Sequence, residues 1–323
     1  MTLSKRLARM TLLLVLGLLP TFAHSEASKA TINLTCLPSG ICNGSLLSQG
    51  KTRTFHYYMH GGVGGNLSNI YRIIFVLHDS TSDGGSTFDT NVLGGSFDNL
   101  ADTRDFIVVY PDAYNNKRWN FGPDSTVTDV DDVGFIKDLM DYFENTHGPS
   151  KLRKFAVGMA NGGLMVFRLG CELSNRLNGI AVVAATMPVS LAKTCKPTHP
   201  ISVLLFEGHE DTLVPRDKNY MYDFADMPPI ATLTPAQTFD FWAAMDHITS
   251  PPKFITVPVA KYDGTEIFKE DRGTKTLMVR LYTIFGAGHT WPGGIQYLPE
   301  KYVGKVTHNL EASPVIVNFF YAQ

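Results

Sequence analysis

The stretch Gly158-Met159-Ala160-Asn161-Gly162 joins a short apolar run, Phe155–Val157, to a run with helical periodicity, Gly162–Leu173. The first run predicts a β-strand and the second predicts an α-helix. A glycine on each side of the central residue allows a strand to turn sharply into a helix, because bulkier side chains would clash there. This spacing is that of a nucleophile elbow, G-x-S-x-G, which presents its central side chain above a sheet. The central residue here is alanine, which has no nucleophilic atom.

The rest of the chain alternates apolar strand-like runs with helical patterns, as the elbow does. The further predicted strands are Ile73–Leu77, Phe106–Tyr110, Ile180–Ala185, Val203–Phe206 and Leu281–Phe285, and the alternating run Arg53–Met59 predicts an edge strand. The further predicted helices are Val133–Phe143, with Asp131 and Asp132 at its N-terminus, Gln237–Met245, and a closing helix with Ser313 as N-cap and Pro314 in its first turn. This order predicts an α/β fold with a mostly parallel central sheet and helices on both faces.

Composition narrows the class of protein. The 323 residues are 44% hydrophobic and 18% charged, which excludes a disordered chain. The net charge is −2 and no basic stripe is present, so a nucleic-acid partner is not expected. No metal-ligand spacing appears, and no cofactor is expected. We predict a single domain over residues 26–323, in which residues 216–262 form a cap or a set of long loops.

The N-terminus has the order of a secretory signal peptide. Lys5, Arg6 and Arg9 precede the apolar run Leu12–Leu19, and small residues follow around Ala23-His24-Ser25. The apolar run is far shorter than the ~20 residues that a membrane-spanning helix needs. We therefore predict a signal peptide over residues 1–25, no stable membrane anchor, and a secreted or periplasmic location.

Four cysteines in an exported chain predict disulfide bonds. Cys36 and Cys42 lie close together in a turn-like stretch, so their pairing is expected, which leaves Cys171 with Cys195. Free buried thiols stay open as the alternative. The spacing does not suit a zinc site with four cysteines.

The sequence also contains an acidic residue and a histidine in the order that a catalytic triad requires after its nucleophile. Asp211 follows the predicted strand Val203–Phe206, and His289 follows Leu281–Phe285. The carboxyl ends of parallel strands meet at one edge of a sheet, where such folds place their sites. In this order of residues the acid orients the imidazole, and the imidazole acts as the base.

Taken together, these motifs resemble the secreted esterases of the polyhydroxybutyrate depolymerase and feruloyl esterase family, which are α/β-hydrolases. The resemblance covers most of residues 50–295. Its further motifs are Arg53-Thr54-Phe55, Leu77-His78, Leu100-Ala101-Asp102, Tyr110-Pro111-Asp112, Trp119-Asn120, Asp131–Phe135, Arg168-Leu169-Gly170-Cys171 and the run Gly288–Gly294, GHTWPGG.

The resemblance implies serine attack on a carboxylic ester, an acyl-enzyme and its hydrolysis by water. It also implies the Cys171–Cys195 disulfide and no cofactor. The oxyanion would be held by the main-chain N–H of Asp79 or Ser80 and by that of Asn161. The implied substrates are small or polymeric esters, namely polyhydroxyalkanoates, feruloyl esters and acetylated polysaccharides.

The chain departs from the family at two functional positions, Ala160 and Asp79. Asp79 occupies a glycine position after His78, where its carboxylate would repel a developing oxyanion unless it points to solvent. Without the serine, we expect the chain to be nearly inert toward esters. Three explanations stay open: a natural pseudoenzyme that binds a ligand or partner, a serine replaced deliberately to trap substrate, and a different nucleophile in an unusual geometry.

Several other residues have a functional and a structural interpretation. His78, Trp119 and Trp291 are candidates for the lining of a substrate pocket, and packing is the alternative for the two tryptophans. The stretch His60–Gly65 imitates an oxyanion motif, but it precedes the strand Ile73–Leu77, which favours a hairpin turn. Asp129, Asp131 and Asp132 favour a capped helix start over a metal cluster.

Overall fold

A sheet of eleven strands forms the centre of the molecule in a computed structural model, which describes residues 32–60, 70–82, 84–147, 152–223, 228–259 and 262–323. Its strands are β1 (Ile32–Cys36), β2 (Ile41–Ser48), β3 (Lys51–Tyr58), β4 (Arg72–Leu77), β5 (Phe106–Pro111), β6 (Arg153–Met159), β7 (Gly179–Val183), β8 (Ser202–Gly208), β11 (Lys253–Val257), β12 (Glu266–Gly273) and β13 (Met278–Phe285). The short strands β9 (Tyr220–Met221) and β10 (Ile230–Ala231) form a separate pair. Across the large sheet the order is β1-β2-β3-β5-β4-β6-β7-β8-β13-β12-β11.

The helices connect these strands. They are α1 (Gly85–Phe88), α2 (Ser96–Ala101), α3 (Asp132–His147), α4 (Asn161–Glu172), α5 (Val189–Thr194), α6 (Pro235–Met245), α7 (Glu300–Val303) and α8 (Ala312–Tyr321). A π-helical turn, Asp89–Leu93, continues from α1, and a 3-10 turn covers Tyr114–Asn116.

The six strands β5, β4, β6, β7, β8 and β13 are mutually parallel, and antiparallel strands extend the sheet at both ends. Both faces of this parallel part are buried. In β4, Ile73, Phe75 and Leu77 face one apolar cluster and Ile74 and Val76 face the other, as the two-residue period of a strand requires. This confirms the predicted α/β class.

Helices cover both faces. The first cluster contains apolar side chains of α3, α4 and α6, and the second contains those of α1, α2 and α8. The site therefore lies where the parallel strands end, between the loops that lead into these helices.

Two local predictions were wrong. Arg53–Met59 is not an edge strand, because β3 lies between β2 and β5. The outer strands β1 and β2 were not predicted, and β2 contains the adjacent residues Asn43 and Gly44, which are types depleted in strands. The closing helix begins at Ala312 and its N-cap is Glu311. Ser313 lies inside the first turn, and its hydroxyl contacts Ser96 and the Trp291 indole instead of capping the helix.

Residues 216–262 include β9, β10, α6 and β11, so the described part of this segment combines loops with regular structure.

Two disulfides are present, Cys36–Cys42 between β1 and β2 and Cys171–Cys195 between α4 and the end of α5. No helix in the described ranges is long and apolar enough to cross a bilayer. The predicted signal peptide and the glycine-rich stretch Gly61–Gly65 lie outside the described residues.

Candidate active site

The turn from β6 into α4 has the sharp geometry that its glycines predict. Ala160 adopts φ 49° and ψ −116°, a backbone conformation that costs a non-glycine residue roughly 1–3 kcal/mol. Its N–H donates to the carbonyl oxygen of Val183 at 3.0 Å, so the turn is held against β7. A Cβ atom on Gly158 would lie 2.5 Å from the carbonyl carbon of Gly162, and one on Gly162 would collide with the carbonyl oxygen of Leu77. The turn around Ala160 therefore requires glycine at positions 158 and 162.

Asp211 and His289 meet at the same edge of the sheet. They follow β8 and β13, which are neighbours in parallel register. The Nδ1 atom of His289 lies 2.8 Å from Oδ2 of Asp211. The other carboxylate oxygen, Oδ1, accepts the main-chain N–H groups of Leu213 and Val214 at 2.8 and 2.9 Å. Because Asp211 is fixed in this way, it can orient the imidazole ring.

The surroundings of His289 favour its charged form. Burial is the largest single influence and would lower its pKa, but three carboxylates outweigh it and raise the pKa above its ordinary value. Asp211 contributes most to that rise, and Asp79 and Asp223 add to it. The hydroxyl of Tyr297 donates to the main-chain carbonyl of His289 at 3.0 Å and anchors the loop from its other side.

The carboxylate of Asp79 turns back into its own loop. It is 1% exposed, so it does not point to solvent. Oδ1 accepts the N–H of Ser82 at 3.0 Å and its hydroxyl at 2.6 Å, and Oδ2 accepts the hydroxyl of Thr81 at 2.5 Å. The charge is therefore close enough to act on His289, while its oxygens are occupied by hydrogen bonds that shape the loop.

The sequence suggested that His78 and Trp119 line a substrate pocket. In the structure they lie beneath the site instead. Both side chains are fully buried. Nδ1 of His78 lies 2.7 Å from the carbonyl oxygen of Asp79, and Nε2 accepts the N–H of Ala113 at 3.0 Å, so the ring is the neutral Nδ1–H tautomer. Burial lowers the pKa of His78 in keeping with this. The Trp119 indole donates to the carbonyl oxygen of His78 at 3.0 Å and supports the same loop.

Trp291 likewise packs in the core. It is 1% exposed and makes edge-to-face contacts with Phe88 and Phe97. The packing interpretation of this residue therefore fits the structure better than that of a substrate contact.

A second ionic pair beside the elbow was missed by the sequence analysis. Asp223 lies between β9 and β10, where its segment has little periodicity. Its Oδ2 atom accepts a hydrogen bond from Nδ2 of Asn161 at 3.2 Å and lies 3.0 Å from Nε of Arg118. Nothing in the local sequence could reveal this contact, because it joins three distant parts of the chain.

An open cleft of about 390 Å³ adjoins the candidate site. Its walls carry hydroxyl, amide and guanidinium groups beside a few apolar side chains. The lining residues are Ser80, Thr81, Ser82, Thr87, Asn91, Val92, Arg118, Tyr297 and Leu298. The cleft is large enough for a small ester and polar enough to hydrogen-bond it.

The acidic residues at the start of α3 have structural contacts. Asp131 accepts the N–H of Gly134 at 2.8 Å as a cap, and Asp132 forms a buried ion pair with Arg53 at 2.6 Å. Asp129 pairs with Lys51 at the surface. Within the described ranges, no group of three or more candidate side chains could hold a metal ion.

Comparison with known proteins finds sequence similarity to proteins named as esterases. No family model matches the chain. It is 28% identical over 215 residues to NocK of Nocardia uniformis subsp. tsuyamanensis, a protein provisionally named an esterase, with 62% of this chain and 61% of that protein covered. It is 29% identical over 177 residues to feruloyl esterase B of Piromyces equi, with 53% and 31% covered. The chain thus spans about three-fifths and one-third of these curated relatives.

Among solved structures, acetyl xylan esterase from Aspergillus awamori superposes with a TM-score of 0.55 at 14% identity, over 91% of this chain and all of that one. At this identity the likeness concerns the fold. The chain therefore has the α/β-hydrolase fold, as the sequence predicted, and it is similar in sequence to proteins named as esterases.

Proposed function

We propose that the chain is an esterase-type α/β-hydrolase that binds carboxylic esters and is disarmed by alanine at its nucleophile position. The observation that carries the proposal is the elbow conformation of Ala160 at an edge where Asp211 and His289 are already joined at 2.8 Å. The strained turn and the joined acid–histidine pair occur together, and this combination supports a site that still accepts a ligand. The chain is then a pseudoenzyme that retains a pocket for ester ligands.

The proposed chemistry follows from the groups present. A hydroxyl at position 160 would attack the ester carbonyl while His289 took its proton and Asp211 oriented the imidazolium. The N–H of Asn161 is the first of helix α4 and therefore has no partner within the helix. Together with the N–H of Asp79 or Ser80 it would hold the oxyanion. The ester C–O bond would then break, and the alcohol would leave with the proton from His289. Water, deprotonated by His289, would attack the acyl-enzyme and release the acid, and the proton would return to the hydroxyl at position 160. No cofactor takes part in this scheme.

The proposed ligands are esters of the kinds that the similar proteins are named for. The names feruloyl esterase and acetyl xylan esterase favour a feruloyl or acetyl ester of a polysaccharide. The polar cleft of about 390 Å³ suits such an ester. Polyhydroxyalkanoate is the alternative ligand, on the sequence resemblance alone.

We further propose that the protein is exported as one domain after removal of residues 1–25. The two disulfides support an oxidising compartment, either extracellular or periplasmic. N-terminal sequencing of the protein recovered from outside the cytoplasm would test this, with Glu26 expected as the first residue.

The decisive experiment compares the purified chain with Ala160→Ser on a short-chain chromogenic ester. Loss of the nucleophile from such a triad costs on the order of 10⁶ in kcat, so only the serine variant should turn over measurably. Ala160→Ser combined with His289→Ala is the matched control and should be inactive. Rapid hydrolysis by the unmodified chain, abolished by His289→Ala, would overturn the proposal and require another nucleophile.

A further inference from the structure

Asp223 joins the separate segments that surround the elbow. Its carboxylate contacts Asn161 at 3.2 Å and Arg118 at 3.0 Å, and its main-chain carbonyl accepts the hydroxyl of Ser80 at 3.1 Å. The side chain is 5% exposed, so these contacts are largely withdrawn from water. One residue thereby ties the loop after β4, the loop before α3 and the start of α4 to the segment between β9 and β10.

Two of its partners carry candidate donors for the oxyanion: the N–H of Asn161, and the N–H of Ser80, which is one of the two candidates in the loop after β4. Such donors act through fixed geometry, and their contribution falls when they move by a fraction of an ångström. Asn161 is fixed on its other side, because its Oδ1 accepts the N–H of Trp119 at 2.7 Å. The loop after β4 and the N-terminus of α4 belong to different strand connections. The pairing of β4 with β6 and the packing of Gly162 against Leu77 bring them together. The Asp223 bridge adds hydrogen bonds at Ser80 and Asn161.

We propose that Asp223 is a positioning residue that sets the spacing of the oxyanion donors on Ser80 and Asn161, with Arg118 holding its carboxylate in place. The importance of these donors rests on the proposed function. The bridge itself is a property of the unmodified chain and can be tested there.

The charge of Asp223 also reaches the imidazole. The charged groups that act on His289 are the carboxylates of Asp211, Asp79 and Asp223, each of which raises its pKa. Burial raises the pKa of Asp223 itself, although Arg118 opposes that rise. Replacement of Asp223 by the isosteric asparagine removes one of the three charges and should lower the pKa of His289.

The first experiment compares Asp223→Asn with Asp124→Asn in the otherwise unmodified chain by NMR. Asp124 lines the same cavity of about 290 Å³ as Asp223, but it bonds to Ser190 instead of the elbow. We expect Asp223→Asn to shift the amide resonances of Ser80 and Asn161 and to lower the pKa of His289, and Asp124→Asn to do neither. Equal behaviour of the two variants would overturn the proposal.

The second experiment places the same pair of substitutions in the Ala160→Ser background. We expect Asp223→Asn to lower kcat about 10-fold or more with little change in KM, since loss of a whole oxyanion donor costs on the order of 10²–10³. An effect on KM alone would contradict a positioning role. If Ala160→Ser is inactive while the NMR shifts occur, the proposed function fails and the bridge stands.

Should Asp223→Asn fail to fold, Arg118→Gln provides the alternative. It removes the partner that holds the carboxylate and leaves Asp223 in place. The same displacement of the Ser80 and Asn161 resonances is expected, and unchanged resonances would again contradict the proposal.

Discussion

At the scale of single residues, the glycines beside Ala160 show how strictly the elbow is specified. Gly158 has an ordinary strand position, but the helix that starts three residues later passes directly over it. The missing side chain is therefore a packing requirement, which holds whether or not residue 160 carries a hydroxyl.

Gly158→Ala should destabilise the fold. The added Cβ would lie 2.5 Å from the carbonyl carbon of Gly162, and overpacking of this kind costs typically 1–3 kcal/mol. Gly179→Ala is the matched control, because its Cβ would meet no atom closer than 3.3 Å. Urea unfolding of both variants measures the difference, and equal midpoints would contradict the crowding argument.

Asp79 is the second residue whose role the structure redefines. Both oxygens of its carboxylate accept hydrogen bonds from Thr81 and Ser82. We therefore expect Asp79→Ala to loosen this loop and to lower the activity of the Ala160→Ser variant about 10-fold or more, as loss of oxyanion geometry does. Asp217→Ala, at an exposed position, should leave the activity unchanged. A gain in kcat for Asp79→Ala would show that repulsion of the oxyanion dominates.

At the scale of elements, α2 and the π-helical turn Asp89–Leu93 are joined by a shared phenol. The Tyr110 hydroxyl lies 2.9 Å from Asp89 and 2.8 Å from Asp98. One phenolic proton cannot be donated to two carboxylates at once, so one carboxyl group must be protonated to complete both contacts. Burial accordingly raises the pKa of Asp89 to about 6 and that of Asp98 to about 7.

This pair makes stability depend on pH. A carboxyl pKa that is higher in the folded state means that the folded chain binds more protons between about pH 4 and pH 7. The free energy of unfolding should therefore fall as pH rises through this window. Asp98→Asn should reduce the change in the free energy of unfolding across this window by at most about 4 kcal/mol, since one pKa unit corresponds to about 1.4 kcal/mol.

Thermal unfolding between pH 4 and pH 8 checks this prediction. The exposed carboxylate of Asp105 lies close by in sequence, and Asp105→Asn should leave the slope as it was. If Asp98→Asn leaves the pH dependence of stability unchanged, ionisation of the Asp89 and Asp98 carboxyl groups does not reduce the stability of the fold.

Elements with a strong pattern were predictable, and those defined by distant contacts were not. The run Phe106–Tyr110 is apolar throughout because both of its faces are buried, and it lies within β5. By contrast, four of the five residues of β11 are exposed, so its sequence carries no burial pattern. Asp211 and His289 were found through their positions after strands. Asp223 was not, because its partners come from three other segments.

At the scale of the whole molecule, the disulfides differ in the length of chain that they close. Cys36 and Cys42 are 6 residues apart, whereas Cys171 and Cys195 are 24 apart. In the chain-entropy model the longer loop stabilises by about 3.5 kcal/mol and the shorter by about 2.4 kcal/mol. Cys171→Ser with Cys195→Ser should thus lower the free energy of unfolding more than Cys36→Ser with Cys42→Ser.

Denaturant titration of the two double variants measures this order directly. The paired substitutions avoid leaving a lone thiol in either protein. The reverse order would mean that strand pairing between β1 and β2 depends on its disulfide more than loop length suggests.

The methyl group at residue 160 has a thermodynamic consequence. A chain that cannot form a covalent intermediate leaves its ligand intact, so occupancy obeys reversible mass action. Any ester that binds the folded state alone would raise the melting temperature in proportion to the logarithm of its concentration, with a gain of about 2.7 kcal/mol at 100 times Kd. Under the proposed function, the absence of the serine oxygen would thereby convert a site that hydrolyses esters into one in which the stability of the fold reports the surrounding ester concentration.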